Sequence, residues 1–372
     1  MKRRKFISAA GAGLVGASVA GCGNTTSESD SGPAIQTSPR IQWRLASSFS
    51  RSLDTIYGAA DVLSEKLSEL TDGRFTIRSY PGGELVPALE VLGSVQNGTV
   101  PIGHSASYYY TGRNPALAFD TCVPFGMNVR QYNAWVQHGG GMDILRSVFS
   151  DFNIINLPGG NTGVQMGGWF RREVNSLQDL RGIKMRIPGL GGNVMDRLGV
   201  SVQVIASGDI YPALERGVID ASEWVGPYDD EKLGLNKVAR FYYYPGWWEP
   251  GPGLTFYVNR EQWDKLPTTY QRALEVASAF ASSDMQSKYD AKNPPALKRL
   301  LDSGTEVRRF TNDLLSAAEE QSMDIMQEYA ANDQQYRTVF ESHEQFKQLS
   351  NSWFGTAERA YAEFAFSTNE RV

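Results

Sequence analysis

The sequence predicts an α/β protein with two lobes, mixed but mainly parallel sheets, and a long helical C-terminal region. Up to about Thr268, strand-like and helix-like segments alternate, and short turns join them. From there to Arg371, almost every segment has helical periodicity instead. About 330 residues follow the leader, which is enough chain for two lobes held by ordinary hydrophobic cores.

The first residues predict export. Lys2–Lys5 is a basic run, and an apolar stretch of mostly small residues, Phe6–Ala20, follows it. The stretch is too short to span a bilayer, so residues 1–21 are typical of a signal segment. The pair Arg3-Arg4 is compatible both with twin-arginine (Tat) export and with Sec export. We therefore expect a periplasmic protein.

A cysteine follows the signal segment directly. Val19-Ala20-Gly21-Cys22 matches a bacterial lipobox, in which Cys22 is acylated and becomes the mature N-terminus. Residues 22–40 are rich in Ser, Thr, Gly and Pro, which is typical of a flexible tether. Because the chain has two cysteines, lipidation of Cys22 leaves Cys122 alone and predicts no structural disulfide.

Charge and hydropathy exclude two classes of function. The formal net charge is −5, and no basic cluster occurs after the leader, so we do not expect nucleic-acid binding. No later apolar run approaches the length of a membrane span. Contact with a membrane is therefore expected through the lipid anchor only.

Lobe I is predicted to begin with a strand at Gln42–Leu45 and a helix at Leu53–Leu70, whose apolar residues recur at helical spacing. Arg74–Tyr80 alternates apolar and polar residues as a strand does. Pro87–Asn97 has a helical pattern that Gly98 ends. This β-α-β-α order with short turns indicates a mainly parallel sheet.

The middle of the chain repeats this alternation. The predicted elements are strands at Phe152–Leu157, Ile183–Ile187 and Val202–Ile205, helices at Ser176–Gly182, Asn193–Leu198 and Ile210–Arg216, and a strand that ends at Glu223-Trp224. Leu254–Val258 is a further strand, which we expect to cross back to the first lobe.

These elements suggest a division of the chain. We expect a signal segment at 1–21, a tether at 22–40, lobe I at 41–160, lobe II at 161–253, a return to lobe I at 254–305, and C-terminal helices at 306–372. Pro294-Pro295 and the turn Asp302-Ser303-Gly304 should interrupt the helical region. That region is longer than capping a lobe requires, so it should brace both lobes or reach a second subunit.

Arg186 is a candidate anion-binding residue. It ends a strand-like run, and in open α/β sheets the carboxyl ends of the strands face the ligand crevice. A guanidinium can hold a carboxylate by two parallel hydrogen bonds. Gly189, Gly191 and Gly192 follow, and we expect them to leave room for close approach to a ligand. The alternative is an arginine that merely lies at a strand end.

Glu223 and Glu249 each follow a strand-like segment and lie beside Trp and Pro, so we expect them to be partly desolvated. Two carboxylates near an anion-binding arginine would repel an anionic ligand. A cation between them removes this conflict, because hard oxygens of both glutamates, a backbone carbonyl and the ligand can coordinate it. Gln165 could contact both metal and ligand through its amide group.

The aromatic runs have two interpretations. Tyr108, Tyr109 and Trp248 are candidates for lining the cleft, because small-molecule sites are mostly apolar with a few placed polar groups. They could equally belong to the core.

The sequence offers few candidates for catalysis. The histidines His104, His138 and His343 have no motif around them, and no GxSxG, HExxH or P-loop occurs. The sequence therefore favours a binding protein over an enzyme.

Several stretches resemble one protein family, the substrate-binding subunits of tripartite ATP-independent periplasmic (TRAP) transporters of the DctP type. Within it, the chain is most similar to the branch that binds 2-oxo monocarboxylates such as pyruvate. The stretches that carry the resemblance are Asn161–Phe170 (NTGVQMGGWF), Met185–Gly189 (MRIPG), Ala221–Pro227 (ASEWVGP), Trp247–Pro252 (WWEPGP) and Ser105–Gly112 (SASYYYTG).

The resemblance implies a site, a fold and partners. It implies Gln165 and Arg186 as substrate contacts, and Glu223, the main-chain carbonyl of Trp224, and Glu249 as ligands of a sodium or calcium ion that bridges to the substrate. It further implies the two-lobed periplasmic binding protein fold with a hinge, delivery to TRAP permease subunits, and a homodimer formed by exchange of a long helix. The lipobox departs from the many relatives that are freely soluble.

Two rival functions stay open at this point. One is a receptor for lactate or another hydroxy acid with calcium, because a hydroxyl can replace the keto oxygen as a metal ligand. The other is a secreted hydrolase, in which Glu223 and Glu249 would form an acid/base pair. The leading interpretation remains a receptor that performs no catalysis.

Overall fold

The structure is a computed structural model that describes residues 39–367. The predicted signal segment, Cys22 and all but the last two residues of the predicted tether lie outside the described residues.

Eleven strands occur in the described part of the chain. They are β1 (Ile41–Ser47), β2 (Phe75–Tyr80), β3 (Ile102–Ser105), β4 (Ile154–Asn161), β5 (Trp169–Phe170), β6 (Lys184–Arg186), β7 (Ser201–Gln203), β8 (Ala221–Ser222), β9 (Phe241–Tyr244), β10 (Gly253–Asn259) and β11 (Glu306–Arg309).

Fourteen α-helices surround these strands, again within residues 39–367. They are α1 (Gly58–Leu70), α2 (Val91–Gln96), α3 (Ala118–Thr121), α4 (Val129–His138), α5 (Gly141–Ser150), α6 (Leu177–Leu180), α7 (Gly189–Arg197), α8 (Ser207–Glu215), α9 (Pro227–Leu233), α10 (Arg260–Asp264), α11 (Thr268–Asp302), α12 (Asn312–Asn332), α13 (Gln334–Thr356) and α14 (Glu358–Ser367).

The first sheet has the strand order β2-β1-β3-β10-β4. β1 pairs in parallel with β2 and β3, whereas β10 runs antiparallel to β3 and β4. In β1 the side chains of Trp43 and Leu45 are buried and that of Arg44 is exposed, which is the alternation of a strand with one covered face. All seven residues of β10 are buried, as expected of a strand inside a sheet that is covered on both faces.

The second sheet has the order β11-β9-β5-β8-β6-β7. β6 runs parallel to its neighbours β7 and β8, and β11 runs parallel to β9, while β5 is antiparallel to both β8 and β9. Two mixed sheets with helices packed on them confirm the predicted α/β class and its two lobes. Residues 306–309, which were expected to be helical, instead form the edge strand β11 of this sheet.

The predicted interruption at Pro294-Pro295 is wrong. The 35-residue helix α11 continues through both prolines without ending. Each proline removes one backbone donor, but its φ is compatible with a helix. Packing holds both halves in place. Tyr289 before the prolines is buried and donates to Asp229 of α9 at 2.6 Å, and Leu300 after them is buried as well. Tertiary contacts therefore override the local signal for a break.

The helices after β10 connect different parts of the molecule. α11 packs against α1 and β4 of the first lobe and against α9, which follows β8 of the second sheet. α12 packs on α7, and α13 packs on α4 and α5. Among residues 39–367, no helix combines the length and the apolar character that crossing a membrane requires.

Candidate functional site

Arg186 and Glu223 meet because their strands are neighbours. β6 ends at Arg186 and β8 ends at Ser222, and these two parallel strands are paired with Arg186 opposite Ser222. The two side chains therefore emerge side by side at the carboxyl ends of adjacent strands, where open α/β sheets bind ligands. The Arg186 Nη1 donates to Glu223 Oε1, and both side chains are buried.

The guanidinium of Arg186 has further partners. Its Nε donates to the main-chain oxygen of Ile205 at 3.1 Å, and its Nη1 also reaches the main-chain oxygen of Glu223 at 3.4 Å. Within the described part of the chain, its Nη2 has one long contact, 3.4 Å to the hydroxyl of Tyr109. The guanidinium carbon lies 5.1 Å from the centre of the Trp224 ring. Nη2 is thus the donor of this group with the weakest existing partner.

Glu249 completes the acidic pair. Its carboxyl group lies close to that of Glu223, and Tyr108 donates to its Oε2 at 3.5 Å. Burial raises the pKa of Glu223 to about 7 even though Arg186 opposes the shift and Asp230 adds to it. Burial and the Glu223 charge raise the pKa of Glu249 well above its usual range. Two carboxyl groups in one dry pocket cannot both be ionised at low cost without a further positive charge.

Gln165 lies against the backbone of Glu249. Its main-chain N–H donates to the main-chain oxygen of Glu249 at 3.1 Å, and its Nε2 donates to Thr162 Oγ1 at 3.1 Å. Gly246 permits this approach, because a Cβ there would lie 2.5 Å from the Gln165 carbonyl oxygen. Thr162 is a site residue that no sequence pattern predicted, although it belongs to the NTGVQ segment that carried the resemblance.

Three oxygens of this cluster are buried and find no hydrogen-bond donor among residues 39–367: Gln165 Oε1, Glu223 Oε2 and Glu249 Oε1. Their side chains are 5 %, 0 % and 2 % exposed. Buried polar atoms without partners are costly and rare in folded proteins. Two carboxylate oxygens and one amide oxygen are a hard-oxygen donor set of the kind that sodium or calcium prefers, so these residues fit a cation.

A small cavity with room for about one water molecule adjoins the cluster. Its lining includes Tyr108, Tyr109, Gln165 and Trp224. The rings of Tyr108 and Tyr109 stack with their centres 5.0 Å apart. The cavity thus combines aromatic walls with a few polar groups, as small-molecule sites do.

Trp248 has a different place from the one proposed. It is not part of the cavity lining; its ring packs against Trp247 and Phe310, and it is 2 % exposed. Trp248 therefore belongs to the core, whereas both tyrosines do line the cavity.

The glycines after Arg186 also differ from expectation. A Cβ at Gly189 would lie 2.7 Å from Tyr108, and one at Gly191 would lie 2.7 Å from Trp248. Gly189 therefore leaves room for Tyr108, which lines the cavity, and Gly191 leaves room for Trp248 in the core.

Comparisons with known proteins identify the family of the chain. Residues 46–333 match the model of the DctP family, described as bacterial extracellular solute-binding protein, family 7. A monocarboxylate 2-oxoacid-binding periplasmic protein of Nostoc sp. is 47 % identical over 369 residues, which are 99 % of this chain and 100 % of that protein.

Solved structures of similar proteins share the fold. A TRAP transporter solute-binding protein of Bordetella bronchiseptica, a mixed-occupancy dimer with calcium and picolinate in one active site and an apo site beside it, matches with TM-score 0.88 and 46 % identity over 90 % of this chain and 99 % of that one. A TRAP periplasmic solute-binding protein of Pseudoalteromonas atlantica with bound sodium and pyruvate matches with TM-score 0.84 and 38 % identity over 87 % and 99 %. The chain therefore belongs to the DctP family, the extracytoplasmic solute receptors of TRAP transporters.

Proposed function

We propose that this receptor binds a 2-oxo monocarboxylate such as pyruvate together with a sodium or calcium ion, and presents it to TRAP permease subunits. The observation that carries the proposal is the set of buried oxygens on Gln165, Glu223 and Glu249 that find no donor within residues 39–367. Relatives described as binding 2-oxoacids, or sodium with pyruvate, support the ligand class.

Different residues of the site would bind the cation and the ligand. Glu223, Glu249 and the main-chain carbonyl of Trp224 would hold the cation, and Gln165 would contact both the cation and the ligand. When bound, the cation would supply coordination positions for a carboxylate oxygen and the keto oxygen of the ligand. Arg186 would donate to the ligand carboxylate, with Nη2 as the donor least committed to other groups.

Charge explains why a cation is needed here. Arg186 offsets one of the two glutamates, and the other would face the ligand carboxylate in a pocket closed to water. A bound cation converts this repulsion into attraction, and the low polarity of the surroundings strengthens the effect. The aromatic walls of the cavity suit the apolar part of a small ligand.

Calorimetric titration tests ligand and cation together. Metal-stripped protein is titrated with pyruvate, lactate and succinate, alone and after sodium or calcium is restored. We expect pyruvate to bind only when a cation is present and succinate to bind far more weakly. Equal pyruvate binding without any cation would rule out the bridging ion, and preference for lactate would replace the 2-oxo acid with a hydroxy acid.

The same samples test whether the protein is only a receptor. After prolonged incubation, NMR should show pyruvate unchanged and bound in a fixed ratio to protein. Any product formation would favour an enzyme.

We propose further that Cys22 carries a lipid anchor and that the mature protein acts in the periplasm after Sec or Tat export. The support is the lipobox and the basic leader in the sequence. A Cys22→Ser variant should move from the membrane fraction to the soluble periplasmic fraction. Replacement of both Arg3 and Arg4 by Lys should block export only if the Tat route is used.

We also propose a homodimer. None of the ten residues of helix α14 is buried in the described chain, and its side chains Tyr361, Phe364 and Phe366 are 72 %, 74 % and 70 % exposed. Aromatic surface of this extent is typical of an interaction site. The occupant we infer is a second copy of the chain, in line with the dimeric Bordetella bronchiseptica relative.

A further inference from the structure

Asp230 occupies the centre of a hydrogen-bond network beside the proposed metal site. It lies on α9, a few residues after the Glu223-Trp224 segment, and it is 1 % exposed. Its Oδ1 accepts from the main-chain N–H groups of Val225 at 3.2 Å and Gly226 at 3.1 Å. One oxygen of the carboxylate is thus committed to the backbone that directly follows Trp224.

The other carboxylate oxygen is held from the opposite side. Asp230 Oδ2 accepts from Trp169 Nε1 at 2.9 Å and from the Tyr242 hydroxyl at 2.7 Å. The two donor rings come from β5 and β9 and stack with their centres 4.0 Å apart. Four donors therefore hold the carboxylate in one position and orientation, and a charged acceptor makes these hydrogen bonds stronger than neutral ones.

The peptide plane connects this network to the metal site. The N–H of Val225 and the C=O of Trp224 belong to one planar trans peptide and point in opposite directions. When Asp230 binds the N–H of Val225, the carbonyl of Trp224 is therefore aimed away from Asp230.

The next peptide has the same arrangement. The N–H of Gly226 points to Asp230, and the C=O of Val225, in the same plane, accepts from the N–H of Met166 at 3.1 Å. Met166 directly follows Gln165. The Asp230 carboxylate thus fixes the orientation of two consecutive peptides. Through them it also orients the carbonyl of Trp224 and holds the backbone beside Gln165.

We infer that Asp230 is a positioning residue of this site, which orients the Trp224 carbonyl toward the cation and sets the spacing between that carbonyl and Gln165. The inference rests on the proposed function, since it requires that the cation binds there. Outer partners of metal ligands commonly contribute about 10–100-fold to metal affinity.

The test uses an isosteric variant and a matched control on the same helix. Asp230→Asn keeps the shape but places a donor against either Trp169 or the two main-chain N–H groups. Asp229→Asn changes the adjacent residue, which is equally buried but faces Tyr289 of α11. Calcium and sodium are titrated into the metal-stripped full-length proteins, and pyruvate affinity is then measured at saturating cation.

We expect Asp230→Asn to weaken cation binding by at least about tenfold. Pyruvate affinity at saturating cation should stay within a few-fold of the original. Asp229→Asn should leave cation affinity unchanged even if its melting temperature shifts. Weaker cation binding with nearly unchanged pyruvate affinity, in Asp230→Asn alone, would indicate a positioning role. A general loss of stability would instead lower both affinities in both variants.

Equal cation affinity in the two variants, or equal losses in both, would overturn the inference alone. Failure of the unmodified protein to bind any cation would overturn the proposed function as well. If Asp230→Asn does not fold, Asp230→Glu serves in its place, because it keeps the charge but displaces the carboxylate by one methylene. Unchanged cation affinity in that variant would also contradict the inference.

Discussion

Arg186 donates through one nitrogen, Nη1, to both a side-chain oxygen and the main-chain oxygen of Glu223. The pair is buried, so removal of the arginine leaves an uncompensated carboxylate and should destabilise the fold by about 3–5 kcal/mol. Arg186→Ala should also abolish pyruvate binding, measured by calorimetry, because the donor to the ligand carboxylate is lost.

A milder variant separates binding from stability. Arg186→Lys keeps the charge but loses the planar set of donors, so it should remain folded and bind pyruvate at least about tenfold more weakly. Arg197→Lys, at an exposed ion pair with Glu328, is the matched control and should behave as the original protein. Full pyruvate binding by Arg186→Lys and Arg186→Ala would remove Arg186 from the site.

Glu249→Gln should have opposite effects on stability and binding. The neutral amide removes the repulsion between two buried carboxyl groups, so the melting temperature of the metal-free protein should rise. Cation-dependent binding should fall by at least about tenfold, since a direct ligand matters no less than its outer partners. Glu344→Gln, a mostly buried carboxylate beside Lys347, should show neither effect. A lower melting temperature with intact binding would contradict this assignment.

Asp229 should contribute a measurable pH dependence to stability. Burial raises its pKa to about 7, although a hydrogen bond from Tyr289 opposes the shift; Asp230 and Asp54 add to it and Lys232 reduces it. The folded state therefore holds this proton more tightly than the unfolded state, whose pKa is near the usual 3.8. The resulting stability is present at acid pH and is lost as the pH rises toward 7.

Replacement of the carboxyl group isolates this contribution. Between about pH 4 and pH 7 the original protein should lose this stability, whereas Asp229→Asn should not. The stability of the variant relative to the original protein should therefore grow over that range, by up to about 4 kcal/mol at ~1.4 kcal/mol per pKa unit. Chemical denaturation at several pH values measures the difference. A difference that stays constant with pH would show that Asp229 has a normal pKa.

An ion cluster at Asp54 connects the first lobe with α9. Asp54 follows β1 and accepts from the Tyr228 hydroxyl at 3.0 Å, from Lys292 at 3.2 Å and from Lys232. Because the cluster connects the first lobe with α9, we expect Asp54→Ala to speed ligand dissociation. The effect should be only a few-fold, since exposed ion pairs contribute about 0.2–1 kcal/mol each. Stopped-flow measurement of dissociation checks this.

Salt provides the control for the cluster. The difference between Asp54→Ala and the original protein should shrink at high ionic strength, where exposed charges are screened. Asp302→Ala breaks an exposed pair with Lys298 inside α11 and should not alter dissociation. An equal effect of both variants would show that the cluster does not act between the lobes.

The exposed aromatics of α14 should control the oligomeric state. Replacement of Phe364 and Phe366 by Ser should convert a dimer to a monomer in light scattering at micromolar concentration, because it removes two of the three exposed aromatic side chains of α14. Val218→Ser, at an exposed apolar residue elsewhere, is the control and should leave the mass unchanged. A protein that is monomeric without any substitution would contradict the proposed interface.

The sequence by itself determined the fold class and the segments that carry the site. Period-two and helical patterns predicted the α/β order, since burial of one face imposes the same spacing on any such strand or helix. Arg186 and Glu223 could be named as strand-end residues, because the carboxyl end of a strand is recognisable from its local pattern. The motifs around Gln165 and Glu249 were also recognisable, through their resemblance to a family.

Only the tertiary structure decided which of these residues meet. Strands β6 and β8 are neighbours, with Arg186 opposite Ser222, although 37 positions separate Arg186 from Glu223 along the chain. No local pattern encodes that pairing, because it depends on how the whole sheet assembles. The same holds for Pro294 and Pro295, where packing on α9 overrides the local tendency of proline to end a helix.

The role inferred for Asp230 has the same origin. No local pattern singles out Asp230, and its four donors come from three separate parts of the chain. Local sequence therefore specifies which groups are available, through residue type and spacing. The fold decides which of them are buried together, because burial and hydrogen-bond partners arise from contacts between segments that are distant in sequence.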